Sequence, residues 1–101
     1  MIYFIGCEAA GAVKIGVTSN RIYERLNQAQ VNCPLELKLL AAVDGGLSGE
    51  RELHARFAHL RIRGEWFQAA PELMEHISAL PCPAKPPHGW WSQKRNREIA
   101  A

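Results

Sequence analysis

The sequence has 101 residues, of which 48% are hydrophobic and 22% are charged, and its formal net charge is +2. These values are typical of one soluble globular domain with a single core. No apolar run approaches the roughly 18 residues that a membrane-spanning helix needs. The N-terminal stretch lacks a basic flank before its apolar residues, so it does not resemble a signal peptide. We therefore expect a soluble protein without a membrane partner.

Three cysteines, Cys7, Cys33 and Cys82, stand at wide spacings, and no two of them form a C-x-x-C pair. An odd number of cysteines at such spacings argues against a disulfide framework and against a zinc knuckle. Free thiols are typical of the reducing cytoplasm, which is the compartment that we expect.

The basic residues are concentrated near the C-terminal end. Residues 81–101 carry a net charge of +3, whereas residues 1–80 carry eight basic and nine acidic side chains, a net charge of −1. We predict a domain over residues 1–80 and a proline-rich, basic, tryptophan-containing tail over residues 81–101. Nucleic-acid binding by the nearly neutral domain would depend on local arginines and not on bulk charge.

Two short β-rich segments open the chain, at residues 2–6 and 12–17. The small residues between them favour an antiparallel hairpin. Alternation puts Lys14 and Gly16 on one face of the second strand, where Tyr3 of the first strand can join them.

A helix is predicted next, from a capping segment at residues 18–20 to about Asn32, where Pro34 ends it. Arg25 lies at the edge of its apolar stripe. That stripe, which would face the core, consists of Ile22, Leu26, Ala29 and Cys33.

The rest of the chain continues the alternation of strands and helices. We predict a third strand at residues 35–43, a second helix at 50–60, a turn with a short strand at 64–67, and a third helix at 71–80. The order ββαβα followed by a C-terminal helix predicts an α+β domain with a mainly antiparallel sheet.

The second helix contains two glutamates whose surroundings must differ. A helix turns by about 100° per residue. Glu50 then lies about 60° from Leu53 and beside Phe57, on the shoulder of the apolar stripe, whereas Glu52 lies about 100° away on the other side. We predict that Glu52 is solvated and that Glu50 faces inward.

Two interpretations of an inward-facing Glu50 are open. In the first, it is a first-turn glutamate that is favoured by the helix dipole and pairs with His54 or Arg61, which lie on the same side of the helix. In the second, it faces a functional cleft.

Five segments together resemble the GIY-YIG superfamily, and most closely its phage-associated DNA-binding branch. They are "IYFI" (2–5), "VKIGVT" (13–18), "YERL" (23–26), "ERELHARF" (50–57) and "RGEWF" (63–67). The resemblance covers about two thirds of the chain. It implies a three-stranded, mainly antiparallel sheet flanked by helices. It also implies one active site that hydrolyses a DNA phosphodiester with a divalent metal, Mg²⁺ or Mn²⁺.

The resemblance assigns roles to individual residues. Tyr3 matches the tyrosine of the first motif and Gly16 the glycine of the second, Arg25 matches the helix arginine, and Glu50 matches the metal-binding glutamate. A tyrosine whose pKa is lowered by Lys14 and a metal can serve as the base for the attacking water. Arg25 can hold the phosphate oxygens, and Glu50 can hold the metal.

The sequence departs from the family pattern at two matched positions. Met1 stands where a glycine is expected, and Lys14 stands where the second motif has a tyrosine. Lys14 can stabilise phosphate charge, lower the pKa of Tyr3, or indicate a site that binds DNA without cutting it. His54 can share the metal, act as an alternative base, or be a polar partner of Glu50.

Further basic residues are candidates for phosphate contacts, although scattered arginines are also typical of a solvated surface. They are Arg21, Arg51, Arg61 and Arg63 in the domain, and Lys94, Arg95 and Arg97 in the tail. Trp66 and Phe67 are expected to close the core, and the alternative is that they form a platform for base stacking. Trp90 and Trp91 either pack on the domain or stack on unpaired bases.

The leading hypothesis is a metal-dependent DNA endonuclease with Tyr3, Lys14, Arg25, Glu50 and His54 at its site. The alternative is a non-catalytic DNA-binding module that uses the same cleft as a phosphate clamp. A third possibility is a protein-interaction module that works through the tail. Because the chain has little room for a targeting domain, a protein partner can supply specificity.

Overall fold

The first two strands form the predicted hairpin. A computed structural model describes residues 1–19 and 21–81 of the chain. Strand β1 (Ile2–Cys7) pairs antiparallel with β2 (Ala12–Val17), so that Tyr3 lies opposite Gly16 and Ile5 lies opposite Lys14. Since paired residues point to the same side, Tyr3 and Lys14 share one face of the sheet, as predicted.

The other elements follow in nearly the predicted order. They are α1 (Ile22–Val31), β3 (Lys38–Val43), α2 (Leu47–Arg56), a short 3₁₀ helix (Ala58–Leu60), β4 (Arg61–Arg63), β5 (Trp66–Gln68) and α3 (Pro71–Ser78). Within the described residues, no helix is long and apolar enough to cross a membrane.

In the described residues the sheet has five strands in the order β3-β1-β2-β5-β4, so the three-stranded sheet that the resemblance implies is wrong. Strand β5 corresponds to the turn and short strand predicted at residues 64–67, and it forms a hairpin with β4 around Gly64, whose φ of 53° lies in the left-handed region that favours glycine. Each of them is only three residues long, and all of β4 is exposed. Without a buried face, β4 carries no alternation that sequence reasoning could detect. All pairings in the sheet are antiparallel, as predicted.

Helix boundaries differ from the prediction at the N-terminal ends. The N-cap of α1 is Arg21, without a side-chain cap, so the capping role predicted for residues 18–20 is wrong. Helix α2 begins three residues earlier than predicted and ends at Arg56, where the chain continues as a 3₁₀ helix. The first turn of α2 contains Leu47 and Gly49, which give no apolar periodicity to mark it.

Helices cover both faces of the sheet. The first cluster joins one sheet face to α2 and α3, and includes Phe4, Ile15, Phe57, Phe67 and Leu73. The second cluster joins the opposite face to α1, and includes Tyr3, Ile5, Cys7, Ile22 and Leu39. Strand β1 lies between β3 and β2 with both faces covered, which explains why all six of its residues are buried.

Candidate active site

Tyr3 lies on the interior strand β1 and is only 1% exposed. Its ring crosses β2 at Gly16, where a Cβ atom would overlap the hydroxyl oxygen and Cζ of Tyr3. Any other residue at this position would therefore displace the tyrosine. The "KIG" segment therefore requires glycine at this position for a steric reason, because only glycine lets the phenol ring lie across β2.

Three charged side chains act on the Tyr3 hydroxyl. Burial raises the pKa of Tyr3 most, and the negative charge of Glu65 raises it further. The positive charge of Arg25 and its hydrogen bonding lower the pKa of Tyr3, and the charge of Glu50 raises it. Arg25 and Glu50, which are distant in sequence, are thus both close enough to Tyr3 to change its ionisation. The structure brings these three predicted site residues together.

Lys14 does not have the predicted effect on Tyr3. Its Nζ atom lies 3.8 Å from Oε1 of Glu65, and Lys14 is not among the groups that shift the pKa of Tyr3. The net direction of that pKa shift is upward, so the predicted lowering by Lys14 is wrong. The nearest charge to Lys14 is a carboxylate that offsets it.

Glu50 is buried, as predicted from the helical geometry, and Glu52 is exposed. The Oε2 atom of Glu50 is buried and has no hydrogen-bond partner in the described part of the chain. No ion pair among the described residues joins Glu50 to His54 or Arg61, so the interpretation of Glu50 as their partner is wrong. The structure leaves a carboxylate oxygen that needs a positive or hydrogen-bearing group.

His54 has other partners. Its Nε2 atom lies 2.9 Å from the backbone oxygen of Ile15, and because a carbonyl only accepts, this nitrogen carries the proton. Nδ1 then accepts from a guanidinium nitrogen of Arg61 at 3.3 Å. The ring also packs edge-on against Phe67 with centroids 5.0 Å apart. Because both ring nitrogens are engaged in joining α2 to the sheet, we assign His54 neither the base nor the metal-ligand role.

The remaining predicted DNA contacts are scattered. Arg21 pairs with Glu24 at 2.8 Å, and Arg61 donates through Nε to the backbone oxygen of Gly64. Arg51 and Arg63 are exposed on α2 and β4. The tail candidates Lys94, Arg95 and Arg97, together with Trp90 and Trp91, lie outside the described residues. Among the candidate arginines in the described residues, Arg25 is the one whose charge acts on Tyr3, and Arg63 lines a cavity together with Arg25.

The surroundings of Glu50 fit a hard divalent cation that is shared with a ligand. Within residues 1–19 and 21–81, no group of three His, Cys, Asp or Glu side chains converges on a common point. Mg²⁺ commonly keeps several waters and binds one or two carboxylates together with a substrate phosphate. One carboxylate with a buried oxygen that lacks a partner meets this minimum. Glu50 is the residue that would hold Mg²⁺ or Mn²⁺.

Sequence reasoning missed Glu65. Its backbone oxygen accepts from the amide of Ile15 at 2.9 Å, which fixes it against β2, and its carboxylate faces Lys14. The acidic residue in "GEWF" was the available signal that a carboxylate could lie near the site. Its position, however, depends on the pairing of β2 with β5, in which Lys14 lies opposite Trp66. That register is not visible in a single sequence.

The fold and the site define a small α+β domain in which the charges of an arginine on α1 and of a glutamate on α2 both act on a buried tyrosine of the sheet. The T5orf172 domain family matches residues 1–80, which is most of the chain. The protein therefore belongs to the T5orf172 domain family. Comparisons with curated proteins and with solved structures gave no match.

Proposed function

We propose that the protein is a divalent-metal-dependent DNA endonuclease of the GIY-YIG type, which hydrolyses one phosphodiester at a single active site. The observation that carries the proposal is the buried Oε2 atom of Glu50, which lacks a partner while the charge of Glu50 acts on Tyr3. Burying such an atom costs free energy of folding. A bound cation would remove that cost, and a site for a cation beside a tyrosine and an arginine suits phosphate chemistry.

The cationic side chains suit the charge that develops on a phosphate. Arg25 can donate two parallel hydrogen bonds to the non-bridging oxygens, and its guanidinium is exposed enough to reach a ligand. Lys14 adds a point charge on the same face of the sheet. When bound to Glu50, Mg²⁺ or Mn²⁺ supplies Lewis-acid stabilisation of the phosphate and lowers the pKa of bound water.

Tyr3 orients the attacking water and takes its proton. With a raised pKa, the phenol is neutral at neutral pH, so its oxygen accepts a hydrogen bond from the water. Proton transfer needs the phenolate, and the fraction of phenolate grows as the pH rises. The neighbouring Arg25 favours that ionised form, while Glu65 and Glu50 oppose it.

The second candidate function is a non-catalytic DNA-binding module that clamps a phosphate in the same cleft. Two observations favour it. The pKa of Tyr3 is raised, which leaves less phenolate to act as a base at neutral pH, and the residue in place of the second-motif tyrosine is a lysine that faces Glu65. Under either function a protein partner can supply the choice of DNA site.

Incubation with supercoiled plasmid in Mg²⁺ or Mn²⁺, with a chelator control, separates the two functions. An endonuclease nicks the plasmid only when the metal is present. A protein that shifts DNA on a gel but never nicks it is the binding module. A protein that neither shifts nor nicks DNA contradicts both.

Arg25→Ala and Arg21→Ala form a matched pair for the same assay. Both remove an exposed arginine from α1 or its N-cap, but only Arg25 acts on Tyr3. We expect Arg25→Ala to slow nicking by about 100-fold or more and Arg21→Ala to have a small effect. Equal losses in both variants would mean that Arg25 contributes only general positive charge.

A further inference from the structure

A cavity of about 730 Å³ lies beside the site, between α1 and the β4–β5 hairpin. Two residues of the proposed phosphate site, Lys14 and Arg25, also line this cavity. Lys14 and Arg25 therefore border both the proposed phosphate site and the cavity. A strand whose phosphate is held at Lys14 and Arg25 would have its next chemical group at the mouth of the cavity. The volume is in the range of small-molecule pockets.

The walls of the cavity combine three kinds of chemistry. Small apolar side chains and the half-buried Trp66 provide a flat hydrophobic surface, to which Ala12, Ala29 and Cys33 contribute. Gln28 and Asn32 provide side-chain amides. Gln28 Oε1 accepts from Arg25 and Asn32 Nδ2 donates to the backbone oxygen of Gln28, which leaves Gln28 Nε2 as a donor and Asn32 Oδ1 as an acceptor for a ligand.

The charge of the walls has one sign. Lys14, Arg25 and Arg63 are cationic, and none of the lining residues, all of which lie in the described part of the chain, is acidic. A suitable ligand is therefore anionic at one end, has apolar faces, and carries hydrogen-bonding groups at an edge. A nucleotide has these three properties together.

We propose that the cavity accepts one unpaired nucleobase of the DNA strand whose phosphate lies at Lys14 and Arg25. This inference rests on the proposed action on DNA and specifies the substrate class. In a duplex the faces of each base are stacked and its pairing edge is occupied, so only an extruded or unpaired base can enter. The preferred substrates are then bulges, flaps and branch points, where the cost of unpairing is already met.

Three duplexes of one sequence test this proposal on the full chain. One is fully paired, one has a single bulged thymidine, and one has a single bulged abasic nucleotide. The abasic bulge keeps the flexibility and the phosphate but lacks the base. Binding is measured by fluorescence anisotropy in a chelator, so that no strand is cut. We expect the thymidine bulge to bind at least about five-fold more tightly than the abasic bulge, as stacking of one base allows.

Two substitutions in the β1–β2 turn assign the preference to the cavity. Ala10 lines the cavity and its neighbour Ala9 does not, while both are exposed. Ala10→Trp should fill the mouth and abolish the difference between the two bulges, and Ala9→Trp should retain it. The tail, with Trp90 and Trp91, is the same in both variants, so stacking by the tail would not separate them. Matching thermal unfolding curves show that both variants fold.

Equal affinity for the thymidine and abasic bulges overturns the inference. So does an Ala10→Trp variant that keeps the preference. If the protein binds and nicks paired DNA without any preference, the inference fails and the proposed function stands. If it binds none of the three duplexes and nicks no plasmid, both fail.

Discussion

Phe4 and Tyr3 are neighbours on strand β1 and are almost equally buried, at 0% and 1% exposure, yet they face different surroundings. Phe4 points into the first cluster, where Phe67 and Leu73 are also fully buried. Tyr3 points into the second cluster, where three charged side chains act on its hydroxyl. Burial alone therefore does not distinguish a residue that holds the fold together from one that belongs to a site.

Substitutions on the two faces of the sheet should therefore have different effects. The first cluster is a closed apolar core, so its residues should matter for stability. The second face borders a cavity of about 730 Å³ and carries charges around one hydroxyl, so several of its residues should matter for activity at little cost in stability.

Phe67→Ala should lower the free energy of unfolding by about 3–5 kcal/mol, because it opens a cavity in the first cluster. Phe67 lies on β5, is 0% exposed and packs against the ring of His54. Ile62→Ala in the neighbouring strand is the control, because that side chain is 54% exposed. Urea unfolding measures both. Similar losses in the two variants would contradict a core centred on the first cluster.

Glu50→Leu should raise the free energy of unfolding by about 1–3 kcal/mol, because it removes a buried carboxylate oxygen that has no partner. Glu52→Leu changes an exposed glutamate of the same helix and should stay within about 0.5 kcal/mol. Thermal unfolding without divalent ions measures both. A Glu50→Leu variant that is less stable than the wild type would show that Glu50 has a partner that stabilises it.

Tyr3 should give nicking a pH dependence. Its pKa is raised by burial and by Glu65, so the phenolate fraction, and with it the rate, should increase by up to about tenfold per pH unit through the neutral and mildly alkaline range. Tyr3→Phe should nick at a low rate and lose this rise. A rate that is flat with pH in the wild type would exclude Tyr3 as the base.

His76 should give a small loss of stability in mild acid. Burial, and then the charge of Arg56, lower the pKa of His76 below its ordinary value of 6.5. As the pH falls, the unfolded chain therefore binds a proton at His76 before the folded chain does. The contribution of His76 to the free energy of unfolding is full above the ordinary pKa and is lost as the pH falls toward the folded pKa. His76→Asn should reduce the dependence of the urea midpoint on pH between neutral and mildly acidic pH. If the urea midpoint of His76→Asn changes with pH as steeply as that of the wild type, His76 is not the source of the acid sensitivity.

The sequence predicted well what depends on local periodicity. The β1–β2 hairpin, the inward-facing stripe of α1 and the choice of Glu50 over Glu52 each depend on spacing within one element, and all three are confirmed. The α+β class with an antiparallel sheet is confirmed as well. Amphipathic spacing is enough for these features because each buries one face of one element.

The sequence did not predict the contacts that depend on pairing between distant segments. The short strand at residues 64–67 was predicted, but β4 was not, and neither was the pairing of β5 with β2 that brings Glu65 to Lys14. The partners of His54 were also out of reach, because one of them is a backbone oxygen on β2. Such contacts follow from the register of distant segments, which a single sequence does not carry.

The central claim is that the partnerless oxygen of Glu50 holds a divalent cation for cutting DNA. Glu50→Gln and Glu52→Gln, two residues apart on one helix, test it in Mg²⁺-dependent nicking of supercoiled plasmid and in Mn²⁺ titration by calorimetry. We predict that Glu50→Gln loses nicking by at least about 100-fold and loses Mn²⁺ binding, while Glu52→Gln keeps both. A Glu50→Gln variant that nicks DNA and binds Mn²⁺ as the wild type does would contradict the account.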